Sequence, residues 1–337
     1  MTHTDLPNAT PGSNVRFGAE IKLAFAVFAG MALLPLFMSG YLVYILPQYM
    51  IFGVLAMSLA LLWGVTGILS FGQAGFFAIG GYAIGLMTGG ALPFGGLILG
   101  LVAAVLLGYL VAALIGYFLF SAGVRDAYFV LVTLSLSIVV EQIAVSQSQW
   151  TGGWNGMFIL RPTIDLGFVR LELFEDVPVY YAVLLAVALI YLGLYAFTRS
   201  RFGKILVGIR ENEPRLLSLG VPTALHKTAA FALSGAVAAL AGAMYGMHSG
   251  FVSPSLGGVL FSTEVVVWVA IAGRTSLIGA LLGGIIVSSL SNFLSAVTPT
   301  YWQLALGLIF ILTIAFFRGG VAGALERVVS RRKSAQS

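Results

Sequence analysis

The sequence predicts an all-α, polytopic membrane protein with about ten membrane-spanning helices, eight being the lower bound. Hydrophobic residues make up 59% of its 337 positions and charged residues only 9%, whereas soluble domains carry about 25% charged residues. The apolar residues also lie in successive runs near the roughly 20 residues that a helix needs to cross the hydrocarbon core. A chain of this composition cannot cover its surface with polar groups, so its solvent must be lipid.

Ten apolar segments can be marked along the chain. They lie near residues 22–39, 42–65, 68–89, 93–120, 126–146, 177–197, 227–249, 258–273, 276–296 and 301–317. The third segment is rich enough in glycine to be broken or re-entrant, and the eighth is short for a span. These two segments set the range of eight to ten.

Positive charge predicts the orientation. The stretch from Arg199 to Lys227 holds six of the 17 Lys and Arg residues, and the stretch from Arg318 onward holds five. Because cytoplasmic loops carry an excess of Lys and Arg, both should be cytoplasmic, and the more acidic loop 149–176 should face outward. Counting spans from either loop then places both termini in the cytoplasm.

The two ends of the chain are polar. We expect a cytoplasmic tail at 1–21, followed by a retained first span, because the apolar run after it lacks the cleavage site of a signal peptide. The membrane domain then covers 22–323, and a basic cytoplasmic tail covers 324–337. The net charge of +5 sits in clusters beside apolar segments, so it reports topology and predicts no nucleic-acid partner.

Glycine marks a candidate solute pathway. The chain has 42 glycines, and the segment GILSFGQAGFFAIGGYA at 67–83 combines five of them with Ser70 and Gln73. Broken backbone at membrane depth is tolerated only where it is buried in protein or lines a water-filled cavity. We therefore predict that Ser70, Gln73 and Gly75 lie on the pathway. Small-xxx-small spacings elsewhere predict close helix packing.

An acidic residue in an apolar span adds a second candidate. Glu264 opens the eighth segment, and Trp268 follows one helical turn later, so the two could present a carboxylate and an amphipathic ring to one solute. Intramembrane carboxylates are costly and mark either function or the membrane interface, and both alternatives stay open for Glu264. For Glu141 we favour the interface.

The cytoplasmic loop at 200–225 is patterned as a short docking helix. Asn212 can cap its N-terminus, Pro214 suits its first turn, and Gly220 can end it. Leu216 and Leu217 supply an apolar face, as expected of a helix that docks into a groove on another protein. The charged rim consists of Arg210, Glu211, Glu213 and Arg215. The alternative is an interfacial helix resting on lipid headgroups.

Catalytic and nucleotide-binding motifs are missing from the sequence. Gly203-Lys204 is followed by Ile205 and lacks the upstream glycine of a phosphate-binding loop, so we expect ATP and Mg to be bound by partner subunits. There is no cysteine, and the three histidines are scattered, so we predict neither a metal site nor a bound cofactor. The chain is not expected to be an enzyme in its own right.

Residues 67–83 resemble the first signature of the permease family that imports branched-chain amino acids, urea and short amides. Further blocks resemble that family in the same order: TLSLSIVVEQI (133–143), TGGWNG (151–156), SRFGKILVGIRENEPRLLSLGV (200–221), FVSPS (251–255), EVVVWVAIAGRTSLIGALLGG (264–284) and FFRGGVAG (316–323). The resemblance covers about residues 40–323 and is closer to the larger of the two paired permeases. Arg274 departs from it, because the family commonly has glycine there.

The resemblance implies a permease subunit of an ATP-binding-cassette importer in a bacterial inner membrane. Its implied partners are a second permease subunit, two ATP-binding subunits, membrane lipid and an extracytoplasmic solute-binding protein that docks around 149–176. It implies that 200–225 is the coupling loop, which would meet an ATPase subunit through Arg210, Glu211, Glu213, Leu216, Leu217 and Gly220. The implied solutes are branched-chain amino acids or urea and short amides. The alternative is an ATP-independent channel, such as a urea pore.

Overall fold

The computed structural model describes most of the chain. The described residues are 13–37, 40–89, 93–124, 126–159, 164–165, 170–171, 176–273 and 276–299, with a few further positions up to residue 311. Most of the predicted tenth span, Arg274 and the basic tail at 324–337 lie outside them. The same holds for most of the N-terminal tail.

Helices account for nearly all the described residues. They are α1 (Ser13–Phe37), α2 (Tyr41–Ala60), α3 (Gln73–Thr88), α4 (Pro93–Ser121), α5 (Asp126–Ser146), α6 (Ser148–Thr151), α7 (Asp176–Arg199), α8 (Arg201–Ser218), α9 (Thr223–Ser249), α10 (Val259–Ala272) and α11 (Leu277–Val297). A π-helical turn, Leu61–Thr66, continues α2, and 3-10 turns occupy Gly153–Asn155 and Pro254–Gly257. The strands are β1 (Met157–Phe158), β2 (Ile164–Asp165), β3 (Arg170–Leu171) and β4 (Phe251–Val252), paired as β1–β4 and β2–β3.

Seven of the described helices are long and apolar enough to cross a membrane. They correspond to α1, α2 with its π-helical turn, α4, α5, α7, α9 and α11. Two further predicted segments are also helical but shorter: α3 has 16 residues and α10 has 14. Nine of the ten predicted segments therefore coincide with helices, and the two flagged as broken or short are the two short ones.

Side-chain contacts define two opposite ends of the helix bundle. Glu20 on α1 accepts hydrogen bonds from Ser276 Oγ and Leu277 N at the start of α11, each 3.2 Å long. We call this the basic end, because Arg199 and α8 also lie there. At the other end, which we call the loop end, Ile159 N donates to Gly250 O, and β1 pairs with β4. When the shorter α3 and α10 are counted with the seven long helices, successive helices of the bundle run in alternating directions.

Glycines let the central helices touch backbone to backbone. An added Cβ on Gly80 of α3 would collide with the Ala239 carbonyl of α9, and one on Gly242 of α9 would collide with the Phe77 carbonyl of α3. Gly108 and Gly235 form a similar mutual contact between α4 and α9. Such contacts replace side-chain burial as the packing force in a lipid solvent. The predicted role of glycine in close packing is confirmed for these helices.

Candidate functional site

The Gly-rich segment is broken, as predicted. Between the π-helical turn and α3, residues 67–72 are not helical, and Gly67 adopts a positive φ of 80°. Helix α5 supplies partners for the freed backbone: Phe71 N donates to Thr133 Oγ1 over 3.1 Å, and Ser137 Oγ donates to Phe71 O over 2.9 Å. The non-helical backbone is therefore held inside protein, as its position in a membrane bundle requires.

The polar residues of this segment have partners within the chain. Gln73 is 1% exposed; its Oε1 accepts from Ser58 Oγ over 3.1 Å, and its Nε2 donates to Ser234 Oγ over 3.0 Å. Ser70 is fully buried, and its Oγ accepts from Gly72 N over 3.1 Å. Gly75 lies against Ser137, where an added Cβ would come within 3.3 Å of the Ser137 backbone. These contacts link α2, α3, α5 and α9.

The exposed sides of two neighbouring helices, α5 and α10, carry polar groups. Ser262 of α10 donates to Ser137 of α5 over 3.2 Å, which fixes the two helices side by side. Their outer surfaces, which we call the α5–α10 side, bear Ser135, Gln142, Thr263 and half-buried Glu264. No hydrogen bond or ion pair joins Glu264 to another described residue. An unpaired carboxyl that faces lipid is costly.

Trp268 does not share this outward position. It is 1% exposed and packs into a cluster of aromatic rings, with ring centroids 5.3 Å from Phe52 and 5.7 Å from Phe261. Phe77 and Tyr245 complete that cluster. The structure therefore separates the predicted pair: Glu264 borders the outer surface, whereas the ring of Trp268 fills the centre between α2, α3, α9 and α10.

The predicted docking helix is present at the basic end. The chain kinks at Asn212, with φ −158° and ψ 89°, and Asn212 Oδ1 accepts from Arg215 N over 3.0 Å, as an N-cap does. At the far end Gly220 has a φ of 79°, and Val221 N donates to Leu216 O. This is the Schellman arrangement that ends helices at glycine. We call residues 213–220 the coupling helix, after the role that the resemblance implies for this loop.

Its predicted contact residues divide into two groups. Glu211 and Leu217 are exposed, and Leu216 is half-buried against Gly208. Arg210 is exposed as well, but its guanidinium contacts the body of the protein, as does the carboxylate of half-buried Glu213. Arg210 Nη1 donates to the Gly64 carbonyl, and Glu213 forms an ion pair with Lys227 Nζ over 2.6 Å.

A cavity of about 710 Å³ lies beside this helix. Its charged lining comes from Arg210, Glu213 and Lys227, and its apolar lining includes Trp63 and Phe129. Leu69 and Gly67 of the broken segment also border it. The cavity therefore separates the coupling helix from the broken backbone and from the adjoining ends of α4 and α5.

The described part of the outer loop is a tight glycine turn at the loop end. Gly152, Gly153 and Gly156 all have positive φ, and an added Cβ on Gly152 would collide with the Gly156 carbonyl. The turn leaves Trp154 77% exposed, and two further aromatic side chains, Trp150 and Phe158, are also exposed. Exposed aromatic rings at a bundle end suit either a lipid interface or a protein contact.

Comparison with known families gives a match over residues 41–315, to the family described as branched-chain amino acid transport system / permease component. The chain belongs to this family. No solved structure matches it.

Individual relatives agree with this family. The chain is similar to the high-affinity branched-chain amino acid transport system permease protein LivM of Escherichia coli K12, with 29% identity over 280 residues. That match covers 75% of this chain and 63% of LivM, so the chain spans less than two thirds of that relative's length. The Xylose transport system permease protein XylH of Escherichia coli K12 is 32% identical over 139 residues, 39% of this chain and 35% of XylH. The autoinducer 2 import system permease protein LsrC of Escherichia coli is 27% identical over 158 residues, covering 45% of this chain.

Within this family member, several site residues could not be found from the sequence. Thr133 and Ser137 hold the broken segment, and Ser58 and Ser234 bind Gln73, but an isolated serine or threonine in an apolar helix gives no sign of its partner. Lys227 carried a signal, because a lysine at the first turn of an apolar span invites a search for an acidic partner. The partner, Glu213, lies on the coupling helix that precedes α9.

Proposed function

We propose that this chain is a membrane-spanning permease subunit of an ATP-binding-cassette importer in a bacterial inner membrane. The observation that carries the proposal is the capped coupling helix at the basic end of a chain that matches the permease family over residues 41–315. A short helix with capped ends and an exposed leucine is suited to docking into a groove on another protein. The chain itself is then non-catalytic, and ATP and Mg are bound by two partner subunits.

The orientation follows from charge. The basic end carries Arg199, Arg201, Lys204 and the coupling helix, so we place it in the cytoplasm. Both termini are then cytoplasmic, with ten spans in all. The glycine turn with Trp154 lies on the outside, where we propose that a solute-binding protein docks.

We propose that a second permease subunit covers the α5–α10 side. Ser135, Gln142, Thr263 and Glu264 would otherwise meet lipid, where polar and acidic groups are costly. The solute pathway then runs between the two subunits, with Glu264 in contact with the solute. In this arrangement Ser70, Gln73 and Gly75 shape the pathway wall by fixing the broken backbone, and Trp268 supports Glu264 from behind.

For the solute we propose branched-chain amino acids, in keeping with the similarity to LivM. A carboxyl such as that of Glu264 could receive the ammonium group of an amino acid, whereas urea and short amides would use it only as a hydrogen-bond acceptor. Urea and short amides are therefore the second choice. The shorter matches to XylH and LsrC do not favour either solute.

Reconstitution tests the proposal. The chain is purified with its encoded ATP-binding subunits, second permease and solute-binding protein, and uptake of labelled leucine and of labelled urea into liposomes is measured with ATP and with a non-hydrolysable analogue. ATP-dependent leucine uptake that needs the solute-binding protein is the expected result. Equal uptake with the analogue would show that the protein is a passive channel. ATP-dependent uptake of urea without uptake of leucine would show that urea is the solute.

A further inference from the structure

We propose that Arg210 and Glu213 transmit movement of the coupling helix into the membrane domain, and that they are not contacts to the ATPase. The inference rests on the importer function proposed above and goes beyond it, because it assigns separate tasks to residues of one short segment. Three observations carry it: an inward contact on each side of the kink at Asn212, the different helices that these contacts reach, and the cavity between them.

The first contact joins Arg210 to the π-helical turn. Its guanidinium donates to the Gly64 carbonyl, and an added Cβ on Gly67 would come within 2.8 Å of Arg210 Cγ. The side chain thus lies over the point where α2 ends and the broken segment begins. Because π-helical and non-helical backbone leave carbonyl groups without their usual partners, a guanidinium is well suited to fix this point.

The second contact joins Glu213 to the start of α9. Glu213 Oε1 accepts from Lys227 Nζ over 2.6 Å and from Thr223 Oγ1 over 2.8 Å. The Glu213 side chain is only 21% exposed, and the Lys227 ammonium also lies 5.4 Å from the centre of the Phe120 ring. An ATPase subunit on the exposed face of the coupling helix would meet Leu217, which is 49% exposed, and would not meet this carboxylate.

The two contacts flank the only residue inside α8 with non-helical backbone angles, Asn212. Arg210 precedes the kink and attaches to α2, whereas Glu213 follows it and attaches to α9. A push on the coupling helix therefore changes the relative positions of Gly64 and Lys227. The cavity of about 710 Å³ beside them provides room for that change, and the broken segment borders it.

From these two attachment points the helices lead to the polar cluster around Gln73. Ser58 lies on α2, six residues before Gly64, and Ser234 lies on α9, seven residues after Lys227; both bind Gln73 at the start of α3. Movement of α2 relative to α9 would therefore displace α3, the helix that follows the broken segment. Arg210 and Glu213 act here as positioning residues, because neither needs to touch the solute or the nucleotide.

The test uses the complete assembly in liposomes, with variants Arg210→Gln, Glu213→Gln and Leu217→Asp, and with Lys204→Gln, at an exposed position earlier in α8, as the control. Three quantities are measured: ATPase recovered with the permease, the ratio of ATP hydrolysis with and without loaded solute-binding protein, and solute taken up per ATP hydrolysed. Elution profile in detergent checks folding. The charge exchange Glu213→Lys with Lys227→Glu tests the second contact directly.

We expect Arg210→Gln and Glu213→Gln to recover ATPase like wild type but to lose stimulation and uptake per ATP by about fivefold or more, the lower end of typical coupling between sites. Leu217→Asp should lose ATPase recovery, Lys204→Gln should change nothing, and the charge exchange should restore at least part of what Glu213→Lys removes. Normal stimulation in both glutamine variants would overturn the inference. So would loss of ATPase recovery in either, because that is the behaviour of a contact residue.

Failure of the proposed function looks different. If the wild-type assembly shows no stimulation by loaded solute-binding protein, the importer function itself fails. If wild type is stimulated and the two glutamine variants match it, only the assignment of Arg210 and Glu213 fails. Should Glu213→Gln be lost during folding, the paired exchange at positions 213 and 227 still tests the second contact, because it keeps both charges.

Discussion

Gln73 and Glu264 are both polar residues in apolar helices, yet their surroundings differ. Gln73 is buried, and both ends of its amide bind serines on neighbouring helices. Glu264 lies half-buried on the α5–α10 side and has no partner among the described residues. In lipid, a satisfied buried group serves packing, whereas an unsatisfied group near an outer surface calls for something to cover it. We therefore expect Gln73 to stabilise the fold and Glu264 to be free to contact a solute.

The largest expected effect is at Gly80, where α3 packs against the backbone of α9. Replacing it by Leu should destabilise the protein at or beyond the roughly 1–3 kcal/mol typical of overpacking, because the new side chain meets backbone of α9 that cannot move aside. Thermal unfolding in detergent measures the loss. Gly193→Leu on α7 is the matched control, since nothing lies within 4 Å of an added Cβ there. Equal stability of the two variants would contradict the close contact.

Gln73→Leu tests the structural role of the amide. It removes two hydrogen bonds between helices but leaves Ser58 and Ser234 bonded to backbone carbonyls, so we expect a loss of about 1–2 kcal/mol. Uptake per folded molecule should stay near that of wild type. Gln142→Leu, on the exposed α5 surface, should leave stability unchanged. A Gln73 variant that is fully stable but inactive would show that the solute contacts Gln73 inside the subunit.

Glu264→Gln should have the opposite effects to Gln73→Leu, because Glu264 has no partner to lose among the described residues. Stability should be unchanged or improved, while ATP-driven uptake should fall about tenfold, or about 1.4 kcal/mol of solute interaction. Uptake and thermal unfolding are measured on the same preparation. Thr263→Ala, at the adjacent exposed position, serves as the control and should retain uptake. Normal uptake in Glu264→Gln would make this carboxyl a purely interfacial group.

The smallest expected effect is at Gly220. Alanine there must adopt a φ of 79°, which costs about 1 kcal/mol, so the last turn of the coupling helix should fray. We expect ATPase affinity to weaken about fivefold in a binding titration, the equivalent of that energy. Asparagine tolerates this backbone region and should restore most of the affinity. Identical affinity in all three proteins would show that the helix end does not contribute to docking.

Much of this architecture could be predicted from local sequence. Apolar run length gave nine of the helices, the glycine density of 67–83 gave the broken backbone, and Asn212 with Gly220 gave the ends of the coupling helix. These features depend on residues close together in the chain. The charge cluster at 199–227 likewise predicted a basic end of the bundle, whereas the second cluster, from Arg318 onward, lies outside the described residues.

Contacts between distant parts of the chain could not be predicted. Nothing in the sequence links Gly53 to Gly284, yet an added Cβ on Gly284 would lie 2.6 Å from Gly53 Cα. Arg210 and Glu213 read as a charged rim because their neighbours are charged, and only their contacts with Gly64 and Lys227 turn them inward. Side-chain direction depends on partners that the local pattern does not contain.

Helix α9 connects the basic end and the loop end of the bundle as one unbroken helix. Its 27 residues extend about 40 Å, more than the hydrocarbon core of about 30 Å. One end holds the ammonium group that binds the coupling helix, and the other runs into β4, whose partner strand β1 follows the turn with Trp154. In the importer proposed above, the arrival of a loaded binding protein outside and of ATP inside would therefore both act on this one helix.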